Sequence, residues 1–455
     1  MKAKIAALTI VIAALAFGVF SYMRLAPVPK GSTPEEKTVC VLETNDCLRC
    51  HSHDAMAPWY AGLPVASSLV GKDMRNGTRY IDLQAVAEAL KSGGKVSEVD
   101  VSKIEYAVSN DAMPPLQYSA VHWGSYLNSA EKAAVMEWVA KNRAEHARGS
   151  GVSAEFENEP VRPLMPAPKT DPRKVELGRL LYHDTRLSAD NTISCATCHG
   201  LDTGGVDRLR YSKGVNGQLG GVNAPTVFNA TFNHRQFWDG RAADLAEQAG
   251  GPPLNPVEMA SASWEQIVEK LNRDEAFKNK FAEVYPEGLS GKTITDAIAE
   301  FEKTLVTPNS RFDKYLKGDK NALTKDEIEG YGLFKAAKCA TCHTGHNLGG
   351  LSFEYMGVLN DYFADRGDMT DADKGLFNFE KAEKNVGKFK TPTLRNVALT
   401  PPYFHDGTVT SLEKAAAHML KYQSGVRLSD ADIKKIVLFL ETLTGQYDGK
   451  PLAGK

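Results

Sequence analysis

Apolar residues recur at helical spacing along most of the chain. Ile294, Ile298, Phe301 and Leu305 mark one helix face. Val175, Leu177, Leu180 and Leu181 follow Asp171-Pro172, an N-cap with proline at the first helical position. Thr324-x-x-Glu327 is a capping box ahead of Ile328, Tyr331 and Phe334. Asn128-x-x-Glu131 opens a stripe of Val135, Trp138 and Val139. Ser429-x-x-Asp432 opens another, of Ile433, Ile436, Val437, Leu440 and Leu443, which Gly445 should stop. Strand-like alternation is scarce, so the pattern predicts a mainly α protein.

One stretch is apolar on every side. Ile5 to Met23 carries no charge, with Lys2 and Lys4 before it and Arg24 behind. As a helix it spans about 28 Å, close to a bilayer core. The best small-x-small cleavage pattern, Ala14-Leu15-Ala16, lies inside the run, which favours an uncleaved transmembrane anchor over a removed signal. The two lysines would stay cytoplasmic. Further breaks divide the remainder. Pro27, Pro29 and Pro34 give a stalk; Gly149-Ser150-Gly151 with Pro163, Pro166 and Pro168 gives a linker; a weaker break falls at Lys317 to Asn321. The expected organisation is an anchor over 1–25, a stalk over 26–34, domains over 35–148, 169–320 and 321–455, and a linker over 149–168. A net charge of −2 gives no reason to expect a nucleic-acid partner.

Each expected domain contains one Cys-x-x-Cys-His motif. They are Cys47, Cys50 and His51; Cys195, Cys198 and His199; and Cys339, Cys342 and His343. This is the attachment pattern of c-type haem: two thiols bond the porphyrin vinyls and the adjacent His ligates iron. Zinc knuckles or redox dithiols would leave the His after every second Cys unexplained. The reading is therefore three cytochrome c-like haem domains in tandem behind an N-terminal transmembrane helix, with three covalently bound haem c. Such attachment is a bacterial periplasmic process, so the chain is placed in the inner membrane with its catalytic domains in the periplasm. Cys40 is left over as a free thiol.

An iron with a sixth protein ligand carries electrons; one with an open face can react. Met113 lies 62 residues after His51, in a loop rigidified by Pro114 and Pro115, and is the expected sixth ligand there. Met419 lies 76 residues after His343, with His418 as competitor. Met259 lies 60 residues after His199, but Glu258 precedes it, and Gln248 comes shortly before. A carboxylate beside an iron that binds peroxide is the acid/base group that O–O cleavage needs. On the residues alone, a surface glutamate on a loop is the better reading.

From about Asp171 onward the chain resembles the bacterial dihaem cytochrome c peroxidases, the family that also holds the methylamine-utilisation dihaem enzyme. The stretches that carry the likeness are Ile193–His199, Asn223–Asn229, Gln236–Ala242, Pro256–Ala260 and Thr391–Val397 running to Pro402–Gly407. The extra N-terminal motif and anchor resemble the trihaem, membrane-bound quinol peroxidases. The resemblance implies that His199 is the proximal ligand of the peroxidatic haem, that Glu258 shuttles a proton and that Gln248 binds the peroxide. It also implies that Trp238 lies in the electron path, and that His343 and Met419 ligate the electron-transfer haem. Asn223 with the carbonyls of Thr400 and Pro402 would hold calcium, as oxygen donors suit a hard cation. His405 would meet a haem propionate.

Two departures shape the expectation. Many relatives place an iron-capping His sixteen residues after the peroxidatic motif; here that position is Val215. The middle haem should therefore open without losing a His ligand. The methylamine-utilisation enzyme uses Tyr where this chain has Met419, which favours a peroxidase. The expected reaction is reduction of hydrogen peroxide, with a membrane quinol or a small periplasmic cytochrome c as donor. The rivals are a trihaem electron carrier and an enzyme that oxidises a protein or polymer substrate.

Overall fold

A computed structural model describes residues 2–25, 28–119, 122, 125–147, 151–367 and 369–452. It divides into two compact units, Met1–His146 and Ala147–Lys455.

The first unit is helical: α1 Lys2–Leu25, α2 Pro34–Thr44, α3 Cys47–Cys50, α4 Pro64–Tyr80, α5 Leu83–Lys91, α6 Glu98–Ser109, α7 Leu116–Ser119 and α8 Ser129–Ala147. Its core gathers Val41, Leu42, Val86, Ile104, Val135, Trp138 and Val139. The box predicted at α8 forms. Asn128 Oδ1 accepts from the amides of Ala130 and Glu131 at 2.8 and 3.0 Å, and Glu131 Oε2 accepts from Asn128 N at 2.8 Å. The other carboxylate oxygen of Glu131 accepts from Asn45 Nδ2 at 2.9 Å, which ties the turn before α3 to the closing helix. Among the described residues no helix is long and apolar enough to cross a membrane. The anchor expected over 1–25 is not found there: the described side chains of α1 run from Leu8 to Phe20, about 20 Å of helix against a hydrocarbon core of ~30 Å. The side chains of residues 1–7 and 21–25 lie outside the described ones.

The second unit contains α9 Pro172–Tyr182, α10 Cys195–Cys198, α11 Leu245–Ala249, α12 Trp264–Asn272, α13 Glu275–Ala282, α14 Gly291–Glu302, α15 Arg311–Leu316, α16 Lys325–Ala336, α17 Tyr362–Arg366, α18 Phe377–Glu380, α19 Leu412–Met419 and α20 Asp430–Glu441. Strand β1 Phe353–Tyr355 pairs antiparallel with β2 Lys388–Lys390, and β3 Gln446–Tyr447 with β4 Lys450–Pro451. The expected caps hold α9, α16 and α20: Asp171 accepts from Arg173 N, Thr324 from Glu327 N and Ser429 from Asp432 N. Two ends differ from the pattern. Helix α14 stops at Glu302, short of Leu305, and α20 stops at Glu441 with Thr442 as its cap, so Gly445 is not its stop.

Each motif of this unit is reached from a helix that crosses a closing helix at a glycine. A Cβ on Gly178 of α9 would lie 1.8 Å from the Ala297 carbonyl of α14, and one on Gly330 of α16 would lie 1.9 Å from the Lys435 carbonyl of α20. Only glycine permits that approach. Phe439 of α20, fully buried, then stacks edge-on against Phe312 at 5.0 Å, within a cluster that includes Tyr331 and Phe334. Burying such a ring contributes about 1.5–3 kcal/mol.

The middle and C-terminal modules expected as separate domains, 169–320 and 321–455, lie inside one unit. Leu452 near the C-terminus shares a cluster with Tyr182, Phe228 and Phe301. The segment expected as a linker, 149–168, belongs to this unit from 151 onward: Arg162 N donates to Gly345 O at 3.1 Å and Leu164 N to Asp313 Oδ1 at 3.0 Å. Gly149 and Ser150 lie outside the described residues.

Candidate active site

A helical turn places residues i and i+3 on one face, so α3 and α10 aim both of their thiols the same way. The following imidazoles are oriented alike. Nδ1 lies 3.0 Å from Gly77 O in His51, 3.3 Å from Gly205 O in His199 and 3.0 Å from Leu348 O in His343. A carbonyl only accepts, so Nδ1 carries the proton and Nε2 keeps its lone pair for a metal. Tyr182, buried at the end of α9, donates its hydroxyl to His199 O at 2.6 Å and fixes the middle turn. Burial pushes the thiols of Cys47, Cys195 and Cys339 up to about 12 and that of Cys198 to about 11. A redox dithiol needs the opposite shift, whereas a neutral thioether is at home in such surroundings. Among the described residues no group of three or more His, Cys, Asp or Glu side chains could hold a metal ion.

Beside the middle motif lies a cavity lined by Cys195, Cys198, His199, Gln248, Glu258 and Met259. Its empty volume is about 1220 Å³, open mouth included. The paired thiols, the oriented imidazole and this space fit a covalently attached haem. Glu258 is presented by a tight turn: its amide and that of Ala260 both donate to Asn255 O, at 3.0 and 2.9 Å. The Asn255 side chain donates to Glu258 Oε1 at 2.7 Å. Burial raises the Glu258 carboxyl above its ordinary pKa, against smaller opposing effects of Arg241 and Asn255. Val215 is buried, and its amide donates to Glu258 O at 2.8 Å. The loop that carries a capping His in many relatives thus buttresses the acid turn here. Met259 is buried in a core cluster with Leu187, Ile267 and Ile298.

Glu302 also lines this cavity, and sequence reasoning passed over it. It is 5 % exposed, its Oε2 has no hydrogen-bond partner, and burial pushes its carboxyl up to about 8. The available signal was a charged residue four positions after Ile298, on an otherwise apolar stripe.

Asn223 lines the same cavity, while the other expected site residues lie outside it. Trp238 donates Nε1–H to Asn223 O at 2.9 Å and meets His405 edge-on at 6.3 Å. Asn223 Nδ2 donates to Leu209 O at 2.8 Å, leaving Oδ1 as the oxygen a cation could use. The described link from Asn223 to the segment carrying Thr400 and Pro402 runs through His405 O, at 2.8 Å. His405 places Nε2 2.7 Å from Asp373 Oδ1. Asp373 also binds Arg366, so this imidazole closes a buried charge cluster. Met419 ends α19 half-buried, and His418 stacks near Phe404. In the first unit Met113 is 40 % exposed, between α6 and α7.

Residues 172–321 match the family of di-haem cytochrome c peroxidases, and residues 22–141 match a haem-binding domain. The cytochrome c peroxidase Ccp of Escherichia coli (strain K12) is 50% identical over 411 residues, covering 90% of this chain and 88% of that protein. The cytochrome c551 peroxidase of Nitrosomonas europaea is 46% identical over 295 residues, covering 63% and 85%. The solved structure of a MauG-like protein associated with microbial copper homeostasis aligns with a TM-score of 0.56 at 30% identity, over 62% of this chain and 93% of that one. The partly buried attachment motifs, the acid-lined cavity and this identity along nearly the whole length lead to one conclusion: the chain belongs to the di-haem cytochrome c peroxidase family.

Proposed function

We propose that this chain is a periplasm-facing peroxidase that reduces hydrogen peroxide to two waters at its middle motif, with electrons relayed through three c-type haems. What carries the reading is the placement of Glu258 and Gln248 in the same cavity as Cys195, Cys198 and His199. Haem held there by Cys195, Cys198 and His199 would supply the iron and the electrons for cleaving the O–O bond. The protein side of the reaction is proton handling. Two protons and two electrons balance one peroxide against two waters. Asn255 holds Glu258 Oε1, so Oε2 is the atom left to take a proton from one peroxide oxygen and return it to the other. A carboxyl held above its ordinary pKa by burial suits both taking up and giving back the proton. Gln248, half-buried on α11, offers an amide to orient the peroxide.

Trp238 bridges Asn223 and the segment that ends in His405, which supports its role in passing electrons from the C-terminal to the middle motif. Met113 and Met419 complete the electron-carrying haems in this reading, and Asn223 with Thr400 and Pro402 holds a calcium ion. A small c-type cytochrome is the favoured donor, as the names of the Escherichia coli and Nitrosomonas europaea relatives suggest. A membrane quinol is the second, for which the uncharged run from Ile5 to Met23 is the one sequence feature. The test is steady-state peroxide consumption by the full-length holoprotein, with reduced cytochrome c and a quinol as competing donors. At least one should sustain turnover that stops when peroxide is exhausted; failure of both sinks the proposal.

A further inference from the structure

Lys390, on β2, is 5 % exposed. Each of the other buried cations of the described residues has a carboxylate or carbonyl partner, although Arg162 Nε has none. Arg143 pairs with Glu98 and Glu105, Arg395 with Asp313, Arg162 donates to the carbonyl of Glu157, and Lys103 to that of Tyr80. Among the described residues no carboxylate or carbonyl accepts from Lys390 Nζ, and burial alone acts on the ammonium, pushing it down to about 8. An unpaired buried charge is costly, so the site calls for an anion that the polypeptide does not provide.

The geometry shows where that anion would sit. Side chains alternate along a strand. Phe389 takes one face of β2 and stacks on His405 at 4.0 Å. Lys390 takes the other, opposite Phe353 in the β1 register. Its own amide donates to Trp238 O at 2.8 Å. Two residues further on, the Pro392 carbonyl lies beside the His343 ring. Lys390 therefore stands between the proposed electron-path tryptophan and the proximal His of the C-terminal motif, and it does not line the cavity of the middle motif.

We infer that Lys390 binds a propionate carboxylate of the haem held by Cys339, Cys342 and His343, and that it sets the reduction potential of that haem. This rests on haem occupying the C-terminal motif, which a haem count per chain checks separately. Removing the cation leaves the propionate charge uncompensated near the iron and favours the oxidised form. In full-length K390M with unchanged haem content, spectroelectrochemistry should show the C-terminal haem shifted at least tenfold toward oxidation, about 59 mV for a one-electron couple. The other haems should stay unmoved, and K390R should restore most of the shift. A displaced middle haem would name the other propionate source and overturn the assignment to the C-terminal one. Potentials unchanged throughout would overturn the inference. Should K390M fail to fold, resonance Raman decides on K390Q and K390R: a propionate bending band that moves in Gln and not in Arg supports it, and a band unmoved in both contradicts it.

Discussion

Glu258→Gln should lower peroxide turnover by about 10²–10⁴-fold, the usual contribution of a positioned acid/base group, with haem content and visible spectrum unchanged. Gln fills the same space and can still accept from Asn255, so the turn that presents residue 258 survives, held by the amides of Glu258 and Ala260 on Asn255 O. What disappears is a group that can lose and regain a proton. The same carboxyl predicts the pH profile. Burial raises its pKa, and it must be ionised to accept the first proton. Wild-type turnover should therefore fall as pH drops through that raised value, and this acid limb should vanish in E258Q. Stopped-flow peroxide consumption across a pH series reads both effects. A variant within a few-fold of wild type at every pH would remove Glu258 from the mechanism.

The second large effect is on stability. Arg395 and Asp313 are 0% and 1% exposed and meet at 2.7 Å. The guanidinium also donates to the carbonyls of His346 at 3.0 Å and Arg162 at 2.9 Å. Asp313 in turn accepts from the amides of Leu164 and Ser310 at 3.0 and 3.2 Å. One ion pair thus fastens four segments of the second unit. Arg395→Met leaves a buried carboxylate without its cation, which costs about 3–5 kcal/mol. Chemical denaturation of the holoprotein, followed separately by far-ultraviolet dichroism and by haem absorbance, should place the loss in the second unit. A decrease under about 1 kcal/mol would show that water or a rearranged neighbour compensates.

The residues that make local structure were open to reading from the chain. Asp171, Thr324 and Ser429 cap helices because each cap and its amide partner lie within three residues. The three attachment motifs are equally local. Arg395 stood out as part of a recognisable stretch, but its reason did not, because Asp313 lies 82 residues away. The carbonyls that orient His51, His199 and His343 depend on loop paths that carry no periodicity. Lys390 has no compositional sign of its burial and becomes visible only once surrounding elements close over it, whereas Glu302 is marked only by its place on an otherwise apolar stripe. The expected linker misled because proline-rich segments suit a strap across a surface as well as a tether between domains.

The account depends on a middle haem with one face free for peroxide beneath Glu258. Magnetic resonance of the oxidised full-length protein, repeated with cyanide added, addresses that directly. The predicted result is no bis-His signal from the middle haem, together with one cyanide-shifted haem per chain that the C195S/C198S variant lacks. A middle iron held by two protein ligands in both the oxidised and the reduced protein, and unmoved by cyanide, would contradict it.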